Sequence, residues 1–136
     1  YVVEKIESKG SGYKSKAILA CLDDEQHDIG ARIINDLLSL KGYEVYFIGS
    51  NTGKEQILKA YTALAPDFCA LSISNYYHLT KLQKTIDYLK ENTDGKCRIL
   101  VGGYAISNTP EIEKKVFPDM FLKDVKDLDQ ISEVLK

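Results

Sequence analysis

Several features are scarce or absent in this sequence. Its 136 residues include no tryptophan, one methionine and only two histidines. No apolar run reaches the length of about 18 residues that a membrane-spanning helix needs, and no signal-peptide pattern is present. We therefore expect a cytoplasmic protein with no membrane partner. The formal net charge of −2 lacks the basic excess of a nucleic-acid surface, so direct contact with nucleic acid is not expected either.

Cysteine is also scarce. The three cysteines, Cys21, Cys69 and Cys97, show neither a C-x-x-C pair nor the spacing of metal ligands. Their odd number does not favour a disulfide framework, and each lies within or at the start of an apolar run. We expect three small buried side chains in a reducing compartment.

What the sequence does contain is an alternation of short apolar runs with helical patterns. The 44% hydrophobic and 28% charged fractions fit one soluble globular domain of ordinary size. The runs predicted as strands are Ala17 to Leu22, Glu44 to Ile48, Asp67 to Ile73, Cys97 to Val101 and Asp119 to Leu122. Alternation of this kind predicts a doubly wound parallel sheet, and five strands favour the flavodoxin-like order 2-1-3-4-5.

The helical patterns fall between these runs. Apolar spacing predicts a helix that follows the turn of residues 23–30 and carries Ile29, Ile33, Leu37 and Leu40, with Lys41 in its last turn. A second helix is predicted from about Lys54 to Leu64, and a third from Leu79 to Leu89. A short helix or turn is expected over Pro110–Val116, and a closing helix from Leu128 to Leu135.

The first residues form a separate segment in this interpretation. Val2, Val3 and Ile6 recur at helical spacing, which predicts the end of a helix that belongs to an upstream segment, although a frayed terminus fits equally well. We assign residues 1–12 to that segment or to a linker, and residues 13–136 to the domain.

The most informative stretch follows the first strand of that domain. Glu25-Gln26-His27-Asp28-Ile29-Gly30 places a histidine between carboxylates where a strand passes into a helix. In open α/β sheets, ligands bind outside the carboxyl ends of the strands. His27 is therefore a candidate ligand-binding residue, although it could also serve only to cap the helix.

Other candidates follow later strands. Ser72 and Ser74 flank Ile73 and should point to the same side, which makes either a polar floor for a ligand or a place for close helix packing. Gly102 and Gly103 either permit close backbone approach by a ligand or simply form a turn.

Several flavodoxin-like functions do not fit these residues. A phospho-receiver domain would use the Asp23-Asp24 pair, but Ser72 stands where its phosphoryl-accepting aspartate would be. The same acidic run would repel the phosphate of a flavin mononucleotide. Neither a G-x-G-x-x-G fingerprint nor a nucleophile elbow is present. An interaction domain without a cofactor remains an alternative at this point.

Taken together, three motifs resemble the cobalamin-binding domain of corrinoid proteins. They are Glu25-x-His27-x-x-Gly30, Ser72-x-Ser74 and Gly102-Gly103, where the family has D-x-H-x-x-G, S-x-L or S-x-T, and G-G in the same order. The resemblance extends over residues 16–136. It implies cobalamin, a cobalt corrinoid, as the cofactor.

The resemblance also implies roles for these residues. The dimethylbenzimidazole tail of the cofactor would leave cobalt and enter a slot between strands, and His27 would replace it as the lower cobalt ligand. A carboxylate, here Glu25, would hold the other ring nitrogen of His27. The implied cofactor-binding residues are Glu25, Gln26, His27, Asp28, Ile29, Gly30, Ser72, Ser74, His78, Gly102 and Gly103.

Three departures from the family pattern bear on the biological role. Glu25 replaces aspartate, Ser74 replaces leucine or threonine, and His78 stands where methyl-transferring members have a second serine. These changes look more like cobalamin-sensing regulators of the MerR type than like methyl carriers. The resemblance thus implies a sensory or regulatory module, with a corrinoid carrier in methyl transfer as the alternative. No catalytic residue is assigned.

The expected partners follow from the same resemblance. A helical cap domain or partner would cover the upper face of the corrin, and a DNA-binding domain or a methyltransferase would complete the system.

Overall fold

The architecture of the chain is a six-stranded sheet covered by helices on both faces. The structure, a computed structural model, describes residues 4–6, 15–22, 29–49 and 52–135. Strands occur in the order β1-β3-β2-β4-β5-β6, and all adjacent pairs are parallel except β1 with β3.

The strands are β1 (Glu4–Ile6), β2 (Lys16–Cys21), β3 (Glu44–Gly49), β4 (Phe68–Ser72), β5 (Ile99–Gly102) and β6 (Met120–Leu122). The α-helices are α1 (Ile29–Leu40), α2 (Lys54–Leu64), α3 (Leu79–Glu91), α4 (Tyr104–Asn108) and α5 (Ile131–Val134). Short 3₁₀ segments cover Tyr76–His78, Ile112–Lys114 and Val125–Gln130.

The central strands are apolar throughout because both of their faces are covered. Alternate residues of β2 enter two different cores: Ile18 and Ala20 face α2 and α3, whereas Leu19 and Cys21 face α1 and α5. All four are at most 4% exposed. This burial explains why a continuous apolar run, rather than an alternating one, marks a strand here.

The predicted fold is confirmed. The five parallel strands run β3-β2-β4-β5-β6, which is the flavodoxin-like order 2-1-3-4-5. The helix predicted over Lys54–Leu64 has those bounds, and α1 lies where a helix was predicted but ends at Leu40, one residue before Lys41.

Three details of the secondary structure differ from expectation. Residues 4–6 of the predicted N-terminal helix form strand β1, because the exposed edge of β3 offers unpaired backbone groups to a neighbouring strand. The short helix α4 was not predicted. The closing helix is a 3₁₀ segment followed by the four residues of α5. The division of the chain at residue 12 stays a prediction.

The cysteines behave as expected of small buried side chains. All three are buried, and none forms a disulfide. The sulfur atoms of Cys69 and Cys97 lie 3.7 Å apart in the core beneath α3. Hydrogen bonding to Cys97, together with burial, raises the pKa of the Cys69 thiol well above its usual value. Cys69 is therefore a neutral packing residue at physiological pH.

Within the described ranges, no helix has both the length and the apolar character needed to cross a membrane.

One buried hydroxyl on α1 yields a prediction about stability. Ser39 is 7% exposed, and its Oγ finds no hydrogen-bond partner among the described residues. Since an unpaired buried polar group is costly and alanine is the better helix former, Ser39→Ala should raise the free energy of unfolding by about 1 kcal/mol. Urea denaturation measures this change.

A matched control is Thr62→Ala in α2. The Thr62 hydroxyl is exposed and already donates to the Leu58 carbonyl oxygen at 3.0 Å. Removal of the Thr62 hydroxyl should therefore raise the free energy of unfolding by less than Ser39→Ala does, or not at all. A loss of stability in Ser39→Ala would show that the Ser39 hydroxyl does have a partner.

Candidate functional site: a cleft at the carboxyl ends of the strands

The carboxyl ends of four parallel strands form one continuous row across the sheet. Cys21 of β2 pairs with Ser72 of β4, Ser72 with Gly102 of β5, and Gly102 with Leu122 of β6. Two of the sequence-predicted site residues, Ser72 and Gly102, are therefore direct neighbours. Parallel pairing brings them together although they lie 30 positions apart in the sequence.

A narrow cleft opens above this row, between the sheet and α1. Its volume is about 20 Å³. The residues that line it are Leu19, Ile34, Ala70, Leu71, Ser72, Gly102, Gly103 and Leu122. The cleft has apolar walls and one hydroxyl, which suits a ligand that is mostly apolar with a few polar groups.

Gly103 is required at its position for two independent reasons. Its φ of +110° lies in a region that residues with side chains rarely adopt. A Cβ placed there would also lie 2.4 Å from the Ile73 carbonyl oxygen and 3.0 Å from the Ser72 Oγ. The backbones that follow β4 and β5 thus pack directly against each other at the cleft.

Gly102 is constrained by the other neighbouring strand. An added Cβ would lie 3.0 Å from the Leu122 carbonyl oxygen of β6 and 3.3 Å from the Leu122 Cβ. The Gly102 carbonyl oxygen accepts a hydrogen bond of 3.0 Å from the Ile73 N–H, which extends the β4–β5 pairing beyond the strand. The glycine pair therefore both closes the sheet edge and keeps side chains out of the cleft.

Ser74 and His78 lie farther along the turn after β4. Both are half-buried, and neither is among the described residues that line the cleft. His78 ends the 3₁₀ segment and precedes α3; its N–H donates to the Asn75 carbonyl oxygen at 2.9 Å. The structure thus brings Ser72, Gly102 and Gly103 together and leaves Ser74 and His78 beside them.

Residues 23–28, which include Glu25, Gln26, His27 and Asp28, lie outside the described residues. Ile29 and Gly30 form the start of α1. Leu22, directly after β2, and Ile29 flank this segment in the sequence. Since β2 and α1 both contribute to the cleft, the segment joins two of its walls.

Five lining residues were not predicted from the sequence: Leu19, Ile34, Ala70, Leu71 and Leu122. Each belongs to an apolar run that looks like ordinary core. The available signal was the alternation within strands, since Ala70 and Ser72 lie on the face that Leu19 shares. To identify these residues as cleft walls, one must also know which face of the sheet α1 covers.

Exposed tyrosines follow β4 and β5. Tyr77 is 85% exposed and Tyr104 is 70% exposed; Tyr76 is also exposed and contacts Tyr77 edge to face, with 5.7 Å between ring centroids. Their rings combine apolar surface with a polar hydroxyl. Such side chains suit contact with a large ligand of mixed polarity.

A doubly wound α/β domain with a glycine-lined cleft at its carboxyl edge is the architecture of a ligand-binding module. Comparison with known families defines which one. Residues 15–121 match the B12 binding domain family, and the chain belongs to it. Cobalamin is accordingly its cofactor.

Individual relatives agree with this membership. The chain is 28% identical over 103 residues to a corrinoid protein of Desulfitobacterium hafniense strain Y51, and the match covers 75% of this chain and 47% of that protein. The chain therefore spans about half the length of that curated relative.

Solved structures share the fold. A cobalamin-binding protein from D. hafniense DCB-2 superposes with a TM-score of 0.75 and 23% identity, over 90% of this chain and 59% of that one. The methanol:cobalamin methyltransferase complex of Methanosarcina barkeri superposes with a TM-score of 0.71 and 19% sequence identity, over 93% of this chain and 48% of that one. The monomethylamine corrinoid protein of M. barkeri superposes with a TM-score of 0.71 and 16% sequence identity, over 86% of this chain and 56% of that one.

The described residues fit this cofactor. Gly102 and Gly103 carry no Cβ where one would meet neighbouring backbone, and Ala70 is small, so the cleft is free of bulky side chains between β4 and β5. The Ser72 side chain adds a hydroxyl at its floor.

Replacement of Gly103 should damage both the fold and the site. Because the new Cβ of Gly103→Ala would overlap the Ile73 backbone and the φ is unfavourable, we expect a loss of about 3 kcal/mol or more in the free energy of unfolding. Cobalamin binding should weaken in parallel. Denaturation and equilibrium titration measure the two effects.

Gly49→Ala is the matched control for this substitution. Gly49 has a similar φ of +124°, but an added Cβ would meet no atom within 4 Å among the described residues. In Gly49→Ala only the unfavourable φ should lower the free energy of unfolding, by about 1–2 kcal/mol, and cobalamin should still bind. Equal losses in the two variants would mean that close packing at Gly103 is unimportant.

Proposed function

We propose that this domain binds cobalamin with the dimethylbenzimidazole tail displaced from cobalt and with His27 as the lower ligand. The observation that carries the proposal is the row of Ser72, Gly102 and Leu122 below an open cleft, in a domain whose family match includes residue 27. The cobalt corrin supplies a reactive axial position when it is bound. The chain supplies the lower ligand and the place for the tail.

The cleft provides that place for the tail. Its volume of about 20 Å³ corresponds to about one water molecule, so a nucleotide tail needs a wider opening. Ile34, on α1, is the lining residue that does not belong to the sheet or to a strand end. We infer that α1 moves outward on binding, with the Ser72 hydroxyl meeting the tail and the glycine backbones lying against it.

Glu25 has a supporting role in this proposal. A carboxylate that accepts a hydrogen bond from the second ring nitrogen of a metal-bound histidine fixes its tautomer and raises its basicity. Glutamate is one methylene longer than aspartate, so the geometry of this bond differs from that in the family. Ile29 and Gly30 begin the helix that follows, and Gln26 and Asp28 complete the segment.

For the biological role, we propose a sensory or regulatory module. Support comes from Ser74 and His78, which replace the residues that methyl-transferring members use beside the first motif serine. The second candidate is a corrinoid carrier in methyl transfer, and the observation that favours it is the 28% identity to a corrinoid protein. A DNA-binding segment encoded in the same reading frame would favour the sensor, whereas an adjacent methyltransferase gene would favour the carrier.

The cobalt ligand can be tested directly because the chain has only two histidines. Cobalamin-loaded protein, reduced to the Co(II) form, should show splitting of its electron paramagnetic resonance signal by one axial nitrogen. Labelling histidine with ¹⁵N should change the triplet into a doublet. In His27→Ala the histidine signal should disappear, and cobalamin should bind at least about tenfold more weakly.

His78→Ala is the matched control for this test. It removes the other histidine and should leave the doublet unchanged. A triplet that persists in the ¹⁵N-histidine protein would show the benzimidazole still on cobalt, and the proposed ligation would then be wrong.

A further prediction concerns the upper face of the corrin. A domain that binds the ring from below leaves its upper ligand open to solvent unless a helical cap covers it. Methylcobalamin bound to this chain should therefore photolyse as fast as the free cofactor, which absorbance under constant illumination measures. Markedly slower photolysis would show that this chain itself shields the upper face.

A further inference from the structure

The side chains that line the cleft are nearly all apolar. Leu19 and Ala70, which pair with each other across β2 and β4, are each 2% exposed, and Leu122 of β6 is also buried. Ile34 completes the wall from α1. Among the described residues that line the cleft, only Ser72 carries a polar side chain. A ligand group that enters this space therefore meets hydrocarbon on most sides and a single hydroxyl.

The backbone carbonyl oxygens at the cleft already have hydrogen-bond donors. The Ser72 carbonyl oxygen accepts from the Leu22 N–H at 3.0 Å. The Gly102 carbonyl oxygen accepts from the Ile73 N–H, also at 3.0 Å. The Gly103 carbonyl oxygen accepts from two N–H groups of α4, each at 3.1 Å. The Ser72 hydroxyl is thus the main polar group that this part of the chain offers to a ligand.

Corrinoids differ in the base that ends their nucleotide tail, and these bases differ in polarity. Dimethylbenzimidazole, once it has left cobalt, has one ring nitrogen that needs a hydrogen-bond donor, and the rest of its ring system is hydrocarbon. Adenine, which is of similar size, carries an amino group and further ring nitrogens. One hydroxyl can satisfy the first base, whereas adenine would keep several buried polar groups without partners, and each of these is costly.

We propose that the cleft selects among corrinoids by the polarity of the tail base, and that Ala70 is a specificity-determining residue. Ala70 lies two positions before Ser72 in β4, so both side chains lie on the same face of the sheet. Its methyl group occupies the place from which a second hydrogen-bonding group could reach the base. This inference rests on the displacement of the tail proposed above, which brings the base to the cleft.

The test compares two corrinoids in the full chain. Cobalamin and the corrinoid that carries adenine in place of dimethylbenzimidazole are each titrated into the protein, and the ratio of their dissociation constants is measured. Wild-type protein should bind cobalamin at least about tenfold more tightly. The cobalt–base bond cannot produce this preference, because adenine is the less basic ligand and leaves cobalt more readily.

Three variants then locate the origin of the preference. Ala70→Ser adds a second hydroxyl to the cleft and should lower the ratio at least about threefold. Ile34→Thr adds a hydroxyl from the half-buried wall on α1 and should lower the ratio in the same way, so the test does not depend on a buried strand variant alone. Ala20→Ser is the matched control. Ala20 is an equally buried strand residue that faces α2 and α3, so this variant should keep the wild-type ratio.

Urea denaturation without cofactor gives the stability of each variant. The inference alone is wrong if wild-type protein with a histidine nitrogen on cobalt binds the adenine corrinoid as tightly as cobalamin, or if Ala70→Ser and Ile34→Thr keep the ratio of Ala20→Ser. If electron paramagnetic resonance of the wild-type protein shows benzimidazole nitrogen on cobalt, the tail does not enter the cleft. The proposed function then fails, and the selectivity proposed for Ala70 fails with it.

Discussion

The close packing of Gly103 against the Ile73 backbone is the constraint on which the carboxyl edge of this sheet depends. Any side chain at Gly103 would push the turns after β4 and β5 apart. With glycine there, the Ile73 N–H can bond to the Gly102 carbonyl oxygen, and the pairing of the strands continues past their ends. The same absence of side chains leaves an open floor beside Ser72.

The two faces of the sheet contribute differently to the site. The face beneath α1 and α5 holds the cleft, with Leu19, Ala70 and Leu122 as its apolar walls. The face beneath α2 and α3 is tightly filled and provides the rigid support from which Lys81 reaches the end of β2. The cleft and the support for the end of β2 thus lie on opposite faces of the same strands.

Sequence reasoning was most successful where burial and chain direction dictate the pattern. Continuous apolar runs identified every parallel strand, and the rule that carboxyl ends share one edge correctly grouped Ser72 with Gly102. The helix predicted at the N-terminus was wrong for Glu4–Ile6. Pairing with the edge of β3 determines the conformation there, whereas the helical spacing of the apolar residues does not. The cleft wall at Ile34 was also not predicted, because an apolar residue on a helix looks the same whether it packs on the core or borders a cleft.

The antiparallel direction of β1 has a consequence for how other parts of a longer protein would be arranged. In the pairing with β3, Glu4 lies opposite Phe47 and Ile6 opposite Val45, so the chain enters β1 at the end of the sheet where β3 finishes. Any polypeptide joined upstream of this strand would therefore lie nearest the carboxyl edge of the sheet, where the cleft opens. A domain attached there would need only a short tether to reach that edge.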